Sequence, residues 1–232
     1  MLFGLFAFDW TILLVLPALF FGLWAQMKVQ STYKKYSAYP TQRGMTGAAA
    51  ARRILDENGL SHIRIEHIRG NLNDHFDPRA GVIRLSDAVH DSKSAAAIGV
   101  AAHEAGHAVQ HAKGYAPIKL RAAIVPVTRF GSMLAIPLFF IGLLMASDYL
   151  MLFGIVLYAL VAFFQLVTLP VEFNASSRAM KVIRASGMLT ERECSAAREV
   201  LTAAALTYVA ALVSSLATLL RLVILAGGRR RN

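Results

Sequence analysis

Residues 94–112 read SAAAIGVAAHEAGHAVQHA, and this alanine-rich run contains a His-Glu-x-x-His pentapeptide at 103–107. On an α-helix, positions i and i+4 lie on the same face, so the imidazoles of His103 and His107 can bind one tetrahedral metal ion. Glu104 follows the first histidine and can act as a general base toward water. The stretch therefore predicts a zinc-binding helix that supports hydrolysis.

The flanking residues predict the bounds of this helix. Asp91 or Ser92 is expected to cap its first turn, and Lys113 and Gly114 follow its last residue, near Ala112. About 20 residues would suffice to cross a membrane. Because polar side chains crowd the C-terminal half and alanine takes the place of leucine, we expect the helix to be buried in protein instead.

The composition indicates a membrane protein. Of 232 residues, 56% are hydrophobic and only 16% are charged, which is too apolar for an ordinary soluble domain. The net charge of +10 could favour nucleic acid, but the cations lie at the ends of apolar runs and between them, as in membrane topology signals. We therefore expect the lipid bilayer, and no nucleic acid, as a partner. The single cysteine, Cys194, excludes an intrachain disulfide and a cysteine-based zinc cage.

Four stretches approach the roughly 20 apolar residues of a membrane span. They are 10–25, 130–146, 149–169 and 203–220. The second and third predict a hairpin that turns at Ser147 and Asp148. The first has no basic region before it and no clear small-x-small site after it, so we expect a span and not a cleaved signal peptide.

Basic residues predict the orientation of these spans. Fourteen lie between Lys28 and Arg121 and five between Arg178 and Arg198, which places both segments in the cytoplasm and the N-terminus outside. If the fourth stretch crosses fully, the arginine-rich tail at 229–231 ends outside, against the same rule. Interfacial packing of that stretch is the alternative, and the sequence leaves both open.

Between the first two spans, the spacing of hydrophobic residues changes from one typical of a helix to one typical of strands. An amphipathic helix is predicted over 46–58, with a stop at Gly59. Residues 63–68 and 82–85 then predict two strands, separated by a turn-rich loop at 70–81, GNLNDHFDPRAG. A strand pair beside a zinc helix either holds an extended substrate by main-chain pairing or serves as scaffold.

A catalytic zinc takes three protein ligands and keeps one position for water. His111 lies on the same helical face as His103 but about 12 Å along the axis, so it is expected outside the metal's own ligands. A metzincin would need a histidine at position 113, which is Lys113. The third ligand must therefore come from elsewhere in the chain.

Few downstream acids can supply that ligand. Asp148 lies in the hairpin turn on the far side of the membrane, and three glutamates lie on a predicted solvated helix face: Glu191, Glu193 and Glu199. Glu172 directly follows the third span in LPVEFNASSRAM, close to the inner membrane surface. Its placement favours the ligand role, and the alternative is an ordinary first-turn helix acid.

Residues 75–111, HFDPRAGVIRLSDAVHDSKSAAAIGVAAHEAGHAVQH, together with LPVEFNASSRAM at 169–180, resemble the YugP-like family of bacterial membrane zinc metallopeptidases. The similarity covers nearly the whole chain. More distantly, the order of elements resembles that of HtpX-type membrane proteases and CAAX prenyl proteases, which are gluzincins. The resemblance implies a zinc endopeptidase of the bacterial cytoplasmic membrane, with one Zn²⁺ per chain, its catalytic part facing the cytoplasm, and protein or peptide substrates that include membrane-associated ones.

In gluzincins a Glu-x-x-Ala-Asp stretch supplies the third ligand. The resemblance implies that Glu172 is this ligand, that Ala175 is the alanine, and that Ser176 stands where the aspartate usually orients a zinc-bound imidazole. Serine does this only weakly. Asn174, Asp87 or a backbone carbonyl are the alternatives for that role.

A developing oxyanion needs a hydrogen-bond donor. The analogy makes Arg178 and Tyr115 candidates for oxyanion or substrate contacts, with His75 and His90 as further polar residues. Each also suits a purely structural role.

These expectations define a mainly α-helical membrane protein, a helical bundle with a small β-strand pair and a gluzincin-like zinc domain at the membrane surface. The predicted divisions are a transmembrane helix at 1–27, the cytoplasmic zinc-helix part at 28–123, a transmembrane hairpin at 124–171, the helix with the third ligand at 172–200, and the C-terminal apolar helix with its tail at 201–232.

Two rival functions stand beside the membrane zinc endopeptidase. A site-2-type intramembrane protease pairs its motif with an aspartate in a later span, and the later apolar stretches contain none. A scaffold or assembly factor with a structural zinc would need a fourth protein ligand instead of the base that Glu104 offers. The residues do not indicate substrate identity or oligomeric state.

Overall fold

The computed structural model describes residues 10–229, a range that is mainly helical with one small sheet. Residues 230–232, which include two arginines of the predicted basic tail, lie outside the described residues, as do 1–9. After a 3-10 turn at Trp10–Leu14, the helices are α1 (Leu16–Ser37), α2 (Gly47–Glu57), α3 (Ala95–Ala112), α4 (Ala116–Leu144), α5 (Asp148–Ala185) and α6 (Glu191–Arg229). The strands are β1 (Arg64–Ile68), β2 (His75–Asp77) and β3 (Val82–Ser86).

The chain forms two compact units. Within the described range, the apolar unit contains 10–25, 120–168 and 207–229, and the site-bearing unit contains 26–119 and 169–206. Four helical segments in this range are long and apolar enough to cross a membrane: Trp10–Ser37, Ala116–Leu144, Asp148–Ala185 and Glu191–Gly228. The zinc-motif helix α3 is not among them, as its alanine-rich composition predicts.

In the apolar unit, α6 lies antiparallel to the start of the chain. Ser214 Oγ donates to the carbonyl of Ala18 at 3.4 Å, and Arg221 Nε donates to Thr11 Oγ1 at 3.2 Å. The two donors are seven residues apart on α6, and the two acceptors are also seven residues apart on the other segment. The two segments therefore run side by side over this length. The fourth apolar stretch therefore lies beside the first.

The sheet of the site-bearing unit has three strands, so the predicted strand pair is wrong in number. Its order is β1-β3-β2, with β1 parallel to β3 and β2 antiparallel to it. The third strand, β2, lies inside the segment predicted as a turn-rich loop. Three residues are too few to show the alternation of apolar and polar residues that indicates a strand. β2 forms because it pairs with the buried β3.

Helix α3 is largely buried and ends near the predicted residue, with Lys113 as its C-cap. Its predicted N-cap is wrong: Ser94, and not Asp91 or Ser92, accepts the N–H of Ala97 through its side chain at 3.1 Å. Ser94 satisfies the geometry of a cap because its extended backbone leaves its hydroxyl free to reach the first helical turn. The predicted helix over 46–58 is confirmed by α2, which Thr46 caps.

Helix α5 runs without interruption from Asp148 to Ala185, through Pro170. The expectation that a new helix starts near Glu172 is therefore wrong, and so is the alternative of Glu172 as a first-turn acid. A proline inside a helix removes one backbone hydrogen bond without necessarily ending the helix when the surroundings pack around it. Glu172 instead lies in mid-helix, 2% exposed.

Candidate metal centre

Helices α3 and α5 bring His103, His107 and Glu172 together. Glu172 Oε2 lies 3.1 Å from His103 Nε2 and 3.5 Å from His107 Nε2. One potential ligand atom from each residue falls within 4.8 Å of the others. Ligands at about 2.0–2.1 Å from a tetrahedral zinc are separated by roughly 3.4 Å, so the two shorter separations suit a shared ion.

A glycine explains how the two helices come this close. A Cβ atom at Gly106 would lie 2.7 Å from the carbonyl oxygen of Ala175, closer than real Cβ contacts allow. Gly106 is the last variable residue of the His-Glu-x-x-His motif, and Ala175 lies one turn after Glu172. Small residues on both helices thus set the distance across which the carboxylate reaches the imidazoles.

The His107 ring is oriented by a buried chain of hydrogen bonds. Its Nδ1 lies 3.0 Å from Gln110 Oε1, and Gln110 Nε2 donates to the carbonyl of Val171 at 2.8 Å and to Asn174 Oδ1 at 3.0 Å. Arg178 Nε also donates to Asn174 Oδ1, at 2.7 Å. The Val171 carbonyl and Asn174 Oδ1 are both acceptors, so the Gln110 amide nitrogen must face them. The Gln110 oxygen then faces His107, and His107 Nδ1 carries the proton.

The His103 ring has a simpler partner. Its Nδ1 lies 3.0 Å from Ser176 Oγ, one turn beyond Glu172 on α5. In the tautomer that binds a metal through Nε2, the Ser176 hydroxyl accepts the Nδ1 proton, and the Nε2 lone pair faces the Glu172 carboxylate. Ser176 is thus the hydrogen-bond partner of His103 Nδ1, and Asp87 lies elsewhere, where it binds His67 and the N–H of Gly70.

The donor set fits a divalent cation. In the tautomers that bind a metal, with both Nδ1 atoms protonated, two Nε2 lone pairs and a carboxylate oxygen converge, and positive charge between them removes their mutual repulsion. The two rings are largely buried, and their centroids lie 4.6 Å apart. One metal ion satisfies all three groups, and two imidazoles with one carboxylate form a ligand set that catalytic zinc uses.

Glu104 lies beside this cluster, 8% exposed. Its Oε2 accepts the backbone N–H of Phe76 in β2 at 3.0 Å, which ties the carboxylate to the sheet. Burial raises the pKa of the Glu104 carboxyl above its ordinary value, despite the nearby imidazoles of His103 and His107. A raised pKa brings a carboxyl closer to the range in which it exchanges protons near neutral pH.

Several other residues predicted from the sequence as site candidates lie close to the cluster, and others do not. Arg178 and Asn174 belong to the hydrogen-bonded chain behind His107, and Tyr115 donates to the carbonyl of Pro170 at 3.5 Å, with its ring 6.0 Å from the Arg178 guanidinium. His111 is exposed and meets the Phe76 ring edge-on.

His75 and His90 are not brought to the cluster. His75 contacts Asn73 and Arg84, and His90 stacks on His67 in a surface group with Asp91. The oxyanion role of Arg178 or Tyr115 stays a prediction.

The sequence interpretation assigned no role to Gln110, Gly106 or Phe76. Gln110 had a readable signal, because a residue three positions after His107 lies on the same helical face. Gly106 had a weaker one, a glycine inside a helix that calls for a packing reason. The contribution of Phe76 is a backbone N–H, which any residue except proline offers, so no side-chain pattern could reveal it.

Fold and site thus have the features of a membrane-associated zinc peptidase. Residues 11–227 match the sequence model of the family described as "Putative neutral zinc metallopeptidase", so the chain belongs to this family and its predicted resemblance is confirmed. A protein of Bacillus subtilis (strain 168), "Putative membrane protease YugP", is 49% identical over 222 residues, which cover 95% of this chain and 99% of that one. No solved structure gives a significant match.

Proposed function

We propose that this protein is a membrane-bound zinc metalloendopeptidase of the gluzincin type. His103, His107 and Glu172 hold one zinc ion per chain, and Glu104 is the general base. The observation that carries the proposal is the convergence of two Nε2 atoms on Glu172 Oε2 while each Nδ1 atom has its own hydrogen-bond partner. Three protein ligands also leave one position of a tetrahedral ion for solvent.

When bound, zinc supplies a Lewis acid that makes water a stronger acid and polarises a carbonyl. The chain's own residues then handle the protons. The Glu104 carboxylate takes the proton of the water that attacks the peptide carbonyl, and passes it to the amine that leaves. The N–H of Phe76 holds that carboxylate in place, and the Gln110 and Ser176 contacts keep the two imidazoles oriented throughout.

The edge of the sheet supports an extended peptide as substrate. β2 has β3 on one side only, and its residue Phe76 directly contacts the base Glu104. A peptide paired along such an edge receives main-chain hydrogen bonds regardless of its side chains, from groups other than the Phe76 N–H, which donates to Glu104. Protein or peptide substrates, including membrane-associated ones, would then be held next to the base, with Arg178 and Tyr115 available for further contacts.

Four apolar helical segments and the distribution of basic residues support a multi-pass protein of the bacterial cytoplasmic membrane. The site-bearing unit contains most of the cations between the spans, which favours the cytoplasmic side for a zinc domain at the membrane surface.

Substitution of Glu104 by glutamine tests the proposal. Glu104→Gln keeps the shape of the side chain but removes the base, so we expect wild-type zinc content and a fall in peptide hydrolysis of about 10²–10⁴-fold. Zinc is measured by elemental analysis of the full chain in detergent, and hydrolysis with an unfolded protein substrate. Glu191→Gln, at an exposed glutamate, is the matched control. Equal hydrolysis by wild type and Glu104→Gln would contradict the assignment of the base.

A further inference from the structure

A groove between α5 and α6 in the site-bearing unit is lined, apart from Ser176, by residues that the proposed hydrolysis does not use. Its volume is about 460 Å³, within the range of small-molecule sites. The lining comes from one face of each helix, with Ser176 and Thr202 contributing hydroxyl groups. Ser176 also contacts His103, so the groove adjoins the candidate metal centre.

Three exposed cations line this groove: Lys181, Arg184 and Arg198. No carboxylate is among the lining residues, and within residues 10–229 none of the three cations forms an ion pair with a carboxylate within 4.0 Å. Arg184 contacts the thiol of Cys194, a weak acceptor that leaves most of the guanidinium donors available. The groove thus concentrates positive charge without an internal counter-ion.

Polarity changes along the groove. Lys181 and Arg184 follow Phe173 on α5, and Arg198 precedes Ala205 on α6, so the cations share one end and Phe173 and Ala205 the other. At the apolar end, both helices continue into their long apolar stretches, 149–169 and 203–220. This order of charge and apolar surface complements an amphiphile that has an anionic head and a hydrocarbon tail.

We propose that the groove binds an anionic phospholipid. The phosphodiester would lie among Lys181, Arg184 and Arg198, which match phosphate oxygens as charge-assisted donors, and an acyl chain would lie along Phe173 and Leu201. The inference rests on the proposed membrane placement and not on peptide hydrolysis. Its readout is lipid binding, so it can fail while the peptidase proposal stands, and the reverse also holds.

Lipid retention by the full chain in detergent tests this site. Native mass spectrometry would compare one-to-one binding of phosphatidylglycerol and phosphatidylcholine with matched acyl chains. The triple variant Lys181→Gln, Arg184→Gln, Arg198→Gln should weaken phosphatidylglycerol binding by about 100-fold, since each basic residue near a membrane surface contributes roughly fivefold. The matched control removes three exposed cations outside the groove, Arg79→Gln, Lys93→Gln and Arg192→Gln, and should retain binding.

A second variant separates a site from general attraction. Thr202→Trp keeps all three cations but fills the groove, so it should lose phosphatidylglycerol as the triple variant does. Equal loss in the control triple variant, or unchanged binding in Thr202→Trp, would overturn the proposal. So would displacement of the lipid by equimolar sn-glycerol 3-phosphate, which would make a free phosphate the ligand, or by an equimolar acidic peptide, which would make the groove a peptide site.

Discussion

The two histidines of the candidate metal centre are held in different ways. Behind His107, Gln110 is fully buried and links the ring to α5 through Val171 and Asn174. Behind His103, a single hydroxyl of Ser176 makes the only hydrogen bond to Nδ1 that we find within the described residues, and that serine also faces the groove. One half of the centre is a buried network, and the other is a single contact at a surface.

This difference indicates which half keeps the site in shape. A buried network specifies orientation only when every donor and acceptor is satisfied, and the Gln110 amide satisfies both of its ends. A lone serine offers one rotatable hydroxyl, with little cost if it turns away. We therefore expect His107 to be the fixed ligand and His103 the adjustable one, and substitutions at three positions probe the two halves, in order of their expected effect.

Loss of the shared carboxylate should have the largest effect, because Glu172 serves both halves at once. Glu172→Gln removes the charge without changing the shape, and the two imidazoles lose their common partner. Zinc affinity, measured by competition with a chelating indicator, should fall by more than the roughly 100-fold limit of changes outside the ligand set. Glu191→Gln serves as control. Wild-type affinity in Glu172→Gln would show that another residue closes the metal site.

Breaking the His107 network should have the next largest effect. Gln110→Leu leaves the His107 Nδ1 proton without its acceptor and removes the side-chain donor to the Val171 carbonyl and to Asn174 Oδ1. We expect zinc affinity to fall by about 10–100-fold and the free energy of unfolding of the zinc-free protein to fall by about 2–4 kcal/mol. The measurements are indicator competition and denaturant unfolding.

A matched pair of variants isolates the orienting role of Gln110. Gln165→Leu makes the same change in the apolar part of α5 and should leave zinc affinity unchanged. Gln110→Glu keeps an acceptor for His107 but loses the amide donors, so it should bind zinc better than Gln110→Leu. If both variants at position 110 bind zinc alike, the role of Gln110 is packing and not orientation.

The parts of this molecule that the sequence predicted are those with local signals. Thr46 and Gly59 bracket α2 because a cap and a left-handed glycine act within one turn of the helix. The histidine pair needs only the helical period, and long apolar runs need only their length. Glu172 could be singled out because few acids remained after the third span.

The parts that the sequence did not predict depend on distant partners. β2 forms because it pairs with β3, and α5 continues through Pro170 although a proline removes one backbone hydrogen bond of the helix. Gln110 finds its acceptors on a helix that lies 61 residues away in sequence. A single sequence contains no local signal for such pairings. The sequence therefore predicts a loop where β2 forms and a helix start where α5 continues, and it does not reveal the partners of Gln110.

The smallest effect should come from the His103 side. Ser176→Ala removes one partly exposed hydroxyl, so zinc affinity should fall by less than about tenfold and the free energy of unfolding by less than about 1 kcal/mol. Ser176→Asp should bind zinc severalfold more tightly than wild type, because a carboxylate accepts the Nδ1 proton in a stronger, charge-assisted hydrogen bond.

The two Ser176 variants also decide whether the halves truly differ. If Ser176→Ala costs as much zinc affinity as Gln110→Leu, the single hydroxyl holds its ring as firmly as the buried network does, and the contrast between the halves is wrong. If Ser176→Asp tightens zinc while Ser176→Ala changes it little, His103 is the adjustable ligand. The serine then leaves this ring more freedom than an aspartate would, at the point where the centre adjoins the groove.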